Sequence, residues 1–315
     1  MASKLQFLMY FIISVFSIFL AVACTSDNDV PFPDSEAPSI DFEGSALTRG
    51  IVNAADDMSA FDVWGWYSPI SGTGTARQVF DATLVSRNGT TWTYDNIQRW
   101  QQGNSYQFYA IYPSFDAECG YKSASCDQKG TFTINNFDCS KTGDEAVDLM
   151  TAVRSVKCGT DGYPGKVSMP FQHELAKIDI VGQSEGSDAY ITGIQLTGIT
   201  STGNYVMSEW ELDKTEIVTY TKDGFSLPAV PTNIFGSLLL IPQSVKDIQL
   251  SITYEFPGIA NSSQTQILSL PATPDKWERG KHYQYSFTLK GNYIIFNSPQ
   301  VNEWKEASGG IIIVA

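Results

Sequence analysis

Residues 248–256 read IQLSITYEF and contain the clearest strand pattern in the chain. Five apolar residues alternate with four polar ones, so an extended backbone places every apolar side chain on the same face. Such alternation is typical of antiparallel sheets that are buried on one side and solvated on the other. Further strands are predicted at residues 39–43, 61–67, 106–112 and 283–289 (SIDFE, FDVWGWY, YQFYAIY and YQYSFTL). The sequence therefore predicts an all-β fold.

The spacing of these strands predicts two sandwiches. No stretch carries a 3.6-residue apolar stripe longer than about two helical turns, whereas short strands recur between glycine and asparagine turns. The turn-rich segment TDGYPG at residues 160–165 separates two halves of similar size. We therefore expect an N-terminal β-sandwich over residues 50–164 and a C-terminal β-sandwich over residues 165–315.

The charge balance excludes one class of partner. The net charge of the 315 residues is −14, and no basic run occurs. Neutralising a phosphate backbone requires clustered Lys and Arg, so nucleic acid is not expected to bind.

The first 23 residues form a targeting segment. Lys4 precedes a long apolar run, and the small residues Ala21-Val22-Ala23 lead into Cys24. This arrangement resembles the lipobox of bacterial lipoproteins, in which the cysteine is acylated and becomes the first residue. The resemblance implies an outer-membrane lipid as a partner through Cys24, and the acidic stretch that follows resembles a surface-export tag. The alternative interpretation is a permanent transmembrane helix.

The other four cysteines are even in number, so two disulfides are expected in an oxidising compartment. No CxxC pair occurs, and no histidine lies near them in the sequence, which argues against a zinc site. Closure of short loops favours the local pairs Cys119–Cys126 and Cys139–Cys158.

No catalytic motif is present, so the sequence predicts neither an enzyme nor a cofactor or metal. His173 and Glu174 are adjacent on a predicted strand and would point to opposite faces, so they are not expected to pair. His282 follows Lys281 in a predicted turn. Both histidines are interpreted as structural.

The seven tryptophans favour a second class of function, because exposed aromatic rings stack on sugars. Trp64 and Trp66 lie in a strand pattern and are expected in the core. Trp100, Trp277 and Trp304 lie beside turns or polar residues and are predicted to be more exposed.

Arg49 is the first basic residue after Lys4, and the next is Arg77. An arginine-specific protease would therefore have one place to cut in this stretch, between Arg49 and Gly50. The alternative is an ordinary surface arginine.

The C-terminal segment GGIIIVA places an apolar, β-branched strand behind a glycine hinge. Such a strand is an aggregation hazard when exposed, and its two apolar faces indicate burial on both sides. It is either a strand donated to another molecule or the closing strand of its own sandwich. The candidate donor residues are Ile311, Ile312, Ile313 and Val314.

Several motifs, taken together and in order, resemble the fimbrillin-like proteins of Bacteroidales-type bacteria, which are type V pilins and their accessory subunits. Besides Cys24 and LTRG at residues 47–50, they are DLMTA (148–152), FQHELAKI (171–178), WERGKHY (277–283) and VNEW (301–304).

The resemblance implies two transthyretin-like sandwiches and export as a surface lipoprotein. It also implies cleavage after Arg49, which would release residues 24–49 together with the lipid. Before cleavage this strand would fill a groove in the first sandwich through Ile40, Phe42 and Leu47. Its loss would open the groove to a donor strand from another pilin subunit. The alternative is a monomeric surface lipoprotein that binds a glycan or a host protein.

Overall fold

The computed structural model describes residues 37–46, 58–116, 118–186 and 189–304. These residues contain a single short 3-10 helix, Gly143–Glu145, and otherwise strands and turns. All of them belong to a compact unit that begins at Ala37. The predicted all-β class is confirmed.

The strands have the following bounds: β1 (Phe42–Ala46), β2 (Ala60–Pro69), β3 (Arg77–Asn88), β4 (Thr91–Thr93), β5 (Asn104–Tyr112), β6 (Ser123–Cys126), β7 (Phe132–Asp138), β8 (Met150–Cys158), β9 (Val167–His173), β10 (Ala176–Glu185), β11 (Ala189–Thr200), β12 (Thr202–Val206), β13 (Glu209–Leu212), β14 (Ile217–Lys222), β15 (Phe225–Leu227), β16 (Thr232–Asn233), β17 (Leu238–Leu240), β18 (Gln249–Glu255), β19 (Gln264–Ser269), β20 (Lys281–Lys290), β21 (Tyr293–Phe296) and β22 (Gln300–Glu303).

The strands assemble into sheets that pack in sandwich-like layers. A seven-stranded sheet has the order β1-β9-β8-β5-β2-β3-β4, and a four-stranded sheet has the order β13-β12-β7-β6. The C-terminal part contains a sheet built around β16-β10-β20-β21, which β17 and β22 join, and another built around β14-β11-β18-β19, which β15 joins. Strand β18 alternates between buried and half-exposed residues, as the pattern IQLSITYEF predicts.

The sheets do not divide at the predicted boundary between residues 164 and 165. Strand β9 lies beyond that boundary, yet it belongs to the seven-stranded sheet of the N-terminal part. Strand β7 lies before the boundary and pairs with β12, from Thr202↔Asp138 to Val206↔Thr133. Two of the sheets therefore contain strands from both sides of residue 165, because sheet pairing joins residues that are far apart in the chain.

Two hydrophobic cores result. The first core lies on one face of the seven-stranded sheet and includes Phe42, Phe61, Phe108 and Phe171. The second core is larger, and it joins the other face of that sheet, through Trp64 and others, to the C-terminal sheets.

The expectation for three tryptophans is wrong. Trp100, Trp277 and Trp304 are all buried, with exposed fractions of 1%, 1% and 3%. A turn in the sequence marks where the backbone reverses, but large aromatic rings beside it still fold back over the core. Trp64 and Trp66 are buried, as predicted.

The predicted disulfides are not formed, since all four described cysteines are free and buried. Cys139 lies in the second core and Cys158 in the first, so the two thiols are built into different packing layers. Cys119 Sγ lies 3.1 and 3.2 Å from the backbone carbonyl oxygens of Asp116 and Tyr121, which share its single S–H as acceptors.

Within the described part of the chain, no helix has the length and apolar character needed to cross a membrane. Over those same residues, His, Cys, Asp and Glu side chains do not converge in groups of three or more that could hold a metal ion.

The buried thiols should resist modification in the native protein. Burial raises the pKa of Cys126 and of Cys139 to about 12, and the thiolate is the reactive form. In a soluble Cys24→Ser variant, iodoacetamide should add to none of the four cysteines in buffer and to all four in guanidinium without reductant. Mass spectrometry counts the adducts, and fewer than four after unfolding would contradict the free-thiol state.

Candidate functional site at the edge of the seven-stranded sheet

The segment that precedes and forms β1 is held on two sides. On one side it runs antiparallel to residues 98–100: the Ile40 N–H donates to the Gln98 carbonyl at 2.9 Å, and the Trp100 N–H donates to the Pro38 carbonyl at 3.2 Å. The Tyr94 hydroxyl donates to the Ile40 carbonyl at 2.8 Å. Burial raises the pKa of Tyr94 to about 12, which keeps this hydroxyl protonated and able to donate.

On its other side, β1 is the parallel partner of β9. The pairing runs from Phe42↔Val167 to Ala46↔Phe171, and the Val167 N–H donates to the Asp41 carbonyl at 2.7 Å. Parallel strands cannot be joined by a tight turn, and the chain between β1 and β9 contains seven other strands. Here the N-terminal segment reaches the edge from outside the sheet and closes it.

The side chains of this segment complete the first core. Ile40 and Phe42 have exposed fractions of 0% and 2%, whereas Asp41 and Glu43 point to solvent. The Phe42 ring makes edge-to-face contacts, with centroid distances of 5.3–6.2 Å, to four rings: Phe61, Phe80, Tyr94 and Phe108. Burying one such side chain contributes ~1.5–3 kcal/mol, and a well-placed aromatic pair adds ~0.5–1.5 kcal/mol.

Strand β9 depends on β1 for much of its pairing. Residues 167–171 pair with β1, whereas the ladder between β9 and β8 is restricted to Thr151↔Gln172 and Met150↔His173. Pro170 has no N–H to contribute to a ladder. Among the described residues, the first five of β9 therefore have their sheet partner in β1.

Most of the residues predicted for lipidation, cleavage, groove filling and strand donation lie outside the described part of the chain. They are Cys24, Leu47, Arg49, Gly50, Ile311, Ile312, Ile313 and Val314. Of the predicted groove-filling residues, Ile40 and Phe42 are described, and both lie in the first core.

A buried polar cluster lies at the far end of β9. His173 Nδ1 is 2.9 Å from Asp148 Oδ1, and each side chain is 1% exposed. The His173 ring stacks on the Trp304 ring, with a centroid distance of 3.6 Å and an interplanar angle of 2°. Burial raises the pKa of Asp148, and the hydrogen bond to His173 acts in the opposite direction.

The second half of this cluster surrounds Glu174. Its carboxylate, 1% exposed, accepts from the Thr151 hydroxyl at 2.6 Å and from Arg279 Nη1 at 2.8 Å. Arg279 Nη1 also donates to the Tyr205 hydroxyl at 3.2 Å. The hydrogen bond and charge of Glu174 raise the pKa of Arg279, so the guanidinium is firmly protonated.

The prediction that His173 and Glu174 do not pair with each other is confirmed, because each has its own partners. His282 is placed differently from its prediction: it is the second residue of β20, and its Nε2 lies 2.8 Å from Asp179 Oδ2. A local turn signal could not reveal this contact, since Asp179 belongs to β10, which runs parallel to β20.

The Asp148–His173 pair is not arranged for catalysis. The second ring nitrogen, His173 Nε2, is buried without a hydrogen-bond partner in the described structure, and Trp304 covers one face of the ring. A general base needs the reacting proton within hydrogen-bond reach, which this burial denies to a substrate. The cluster instead brings together the motifs DLMTA, FQHELAKI, WERGKHY and VNEW, which are distant in the chain, at one point inside the protein.

The all-β, sandwich-like arrangement of sheets, closed at one edge by an N-terminal strand, places the chain among β-sandwich proteins. Sequence comparison then identifies the family. The sequence profile of the fimbrillin-like family matches residues 48–304, so the chain belongs to that family. No curated protein matches the chain.

Solved structures show the same fold. The chain is similar to a fimbrial protein from Bacteroides vulgatus ATCC 8482, with 17% identity and a TM-score of 0.59 over 84% of this chain and 99% of that one. It is also similar to a putative cell adhesion protein from Bacteroides ovatus ATCC 8483, with 14% identity and a TM-score of 0.57 over 86% of this chain and 99% of that one.

Phe42 should contribute strongly to stability. Changing Phe42 to Ala removes a ring from the first core, and we expect the free energy of unfolding to fall by about 3–5 kcal/mol. The matched control is Glu43→Ala, one residue further along the same strand and exposed, which should change stability by less than about 0.5 kcal/mol. Urea denaturation measures both, and equal effects would show that β1 is not part of the core.

The ion pair of Arg279 and Glu174 should behave as a coupled unit. Arg279→Met leaves a buried carboxylate without its charged partner and should lower the free energy of unfolding by about 1–3 kcal/mol. Adding Glu174→Gln removes the unpaired charge and should recover part of that loss. A double-mutant cycle by chemical denaturation provides the test, and strictly additive losses would argue against the coupling.

Proposed function

We propose that this chain is a non-enzymatic subunit of a cell-surface pilus that assembles by strand exchange and supports adhesion. Membership of the fimbrillin-like family supports the pilus assignment. The observation that carries the exchange mechanism is the segment 37–46, which closes the edge of the seven-stranded sheet and buries Ile40 and Phe42 just before Arg49.

In this proposal, the chain is exported as a lipoprotein, with residues 1–23 as its signal and Cys24 acylated in the outer membrane. Acyl chains contribute ~0.8 kcal/mol per buried methylene, so a multiply acylated cysteine anchors the chain without a spanning helix. Cleavage between Arg49 and Gly50 then separates the lipid and the closing strand from the rest of the protein in a single step.

Loss of the strand creates a vacancy. It uncovers the aromatic pocket of Phe42 and removes the β1 ladder from residues 167–171 of β9. An incoming strand restores both, since main-chain hydrogen bonds give affinity and alternate side chains give register. Such a replacement is favoured because an open apolar groove is costly in water.

The C-terminal residues 311–314 are the donor strand in this proposal. Four large apolar side chains contribute on the order of 6–12 kcal/mol when buried, before the cost of ordering the strand. A chain that keeps this strand in its own C-terminal sandwich would act at the end of a pilus instead of within its shaft.

Processing at Arg49 is tested in cells that assemble the polymer. In an Arg49→Ala strain we expect loss of SDS-resistant ladders and accumulation of a monomer that retains acylated Cys24. The matched control is Arg77→Ala, which changes the next basic residue along the chain and should leave the ladders intact.

N-terminal sequencing of surface-sheared material completes the test. The proposal requires Gly50 as the mature N-terminus in the polymer. Ladders that persist in the Arg49→Ala strain with an intact Cys24 would overturn it.

A further inference from the structure

A cleft of about 560 Å³ opens on the surface beside β13. One wall is the turn that joins β12 to β13, and the other walls are residues 242–244 and residues 275–279, which precede β20. Its volume lies within the range of about 300–1,000 Å³ that is usual for small-molecule sites.

The aromatic side chain at the rim of the cleft is Trp210, which is partly exposed. Its ring is backed by Phe137 and Tyr205, at centroid distances of 5.6 and 5.2 Å. The indole N–H donates to the Glu174 carbonyl at 3.0 Å. The ring therefore has a fixed orientation before any ligand arrives, which limits the entropy lost on binding.

The charged side chains that line the cleft are mostly acidic. Glu209, Asp275 and Glu278 face Lys276 and Arg279, and the Arg279 charge is already paired with buried Glu174. All five of these charged residues are exposed. With Arg279 paired to Glu174, the lining keeps three carboxylates and the single cation Lys276, so its remaining charge is negative. The local field therefore disfavours an anionic ligand, and the carboxylates supply hydrogen-bond acceptors.

We propose that this cleft binds a neutral oligosaccharide. A pyranose ring has a face of C–H groups, which is attracted to the negative face of an indole, and its hydroxyls donate to carboxylates. Trp210 would supply the stacking platform. Asp275 and Glu278 would accept hydroxyl protons, and the Ser208 and Ser244 hydroxyls complete the polar lining.

This site differs from the sequence-based expectation for sugar binding. Trp100 is buried in the first core, and Trp277 lines the cleft but is 1% exposed, with its N–H donated to the Tyr285 hydroxyl at 3.0 Å. The sugar platform is instead Trp210, whose place beside the other lining residues is fixed only in the folded protein. The site is independent of strand exchange, so each proposal can fail without the other.

Saturation-transfer NMR with lactose, N-acetyllactosamine and maltotriose at millimolar concentrations tests the proposal. We expect at least one of these sugars to bind, with the strongest transfer to the C–H groups of one ring face. An Asp275→Asn/Glu278→Gln double variant, which changes exposed residues, should weaken binding about tenfold or more, because hydrogen bonds to charged acceptors are stronger than those to neutral amides. Trp210→Phe keeps an aromatic ring and should weaken binding less than Trp210→Ala.

The matched control is Tyr293→Ala, which removes an exposed aromatic residue of β21 and should leave binding unchanged. Circular dichroism confirms that each variant is folded. Absence of binding by all three sugars would overturn the proposal, as would equal binding by the wild type and the double variant. Tighter binding of sialyllactose than of lactose would overturn the assignment to neutral sugars.

Discussion

The burial of Phe42 among four aromatic rings is the contact on which the N-terminal part of the molecule depends. It holds β1 at the edge of the seven-stranded sheet, and β1 in turn supplies the sheet partner for residues 167–171 of β9. An ordinary edge strand is connected to its neighbour through a turn. This one enters from the N-terminus and is held by backbone hydrogen bonds and two buried side chains.

This arrangement makes the closing strand strongly bound yet separable. The covalent chain connects β1 to the sheet only through the residues that follow it, which include Arg49. After a cut there, the non-covalent contacts of residues 37–46 alone would keep the strand in place. A strand with a greater number of apolar side chains, such as residues 311–314 and their neighbours, could then compete for the same groove, because β-pairing itself is largely independent of sequence.

The opposite end of β9 is fixed by a different kind of interaction. Asp148, His173 and Trp304 form one half of the polar cluster, while Glu174 and Arg279 form the other. Burying a polar group is costly unless hydrogen bonds offset the cost, and the Asp148–His173 and Glu174–Arg279 contacts do so only when the strands of the two halves meet in this arrangement. Glu174 also orients Trp210 through its carbonyl, and the rim of the surface cleft is thereby built on the same cluster.

The strands, and the side of the N-terminal segment that faces the core, can be predicted from sequence alone, because the alternation of apolar residues is a local property of an extended backbone. Strands β5, β18 and β20 and the burial of Ile40 and Phe42 follow from it. Tertiary structure decided which strands pair across residue 165, where Trp100 and Trp277 point, that Cys139 and Cys158 lie in different cores, and which partners His173 and Glu174 have. Those outcomes depend on contacts between residues far apart in the chain, whose meeting is set by the packing of whole sheets and leaves no periodic signal in the sequence.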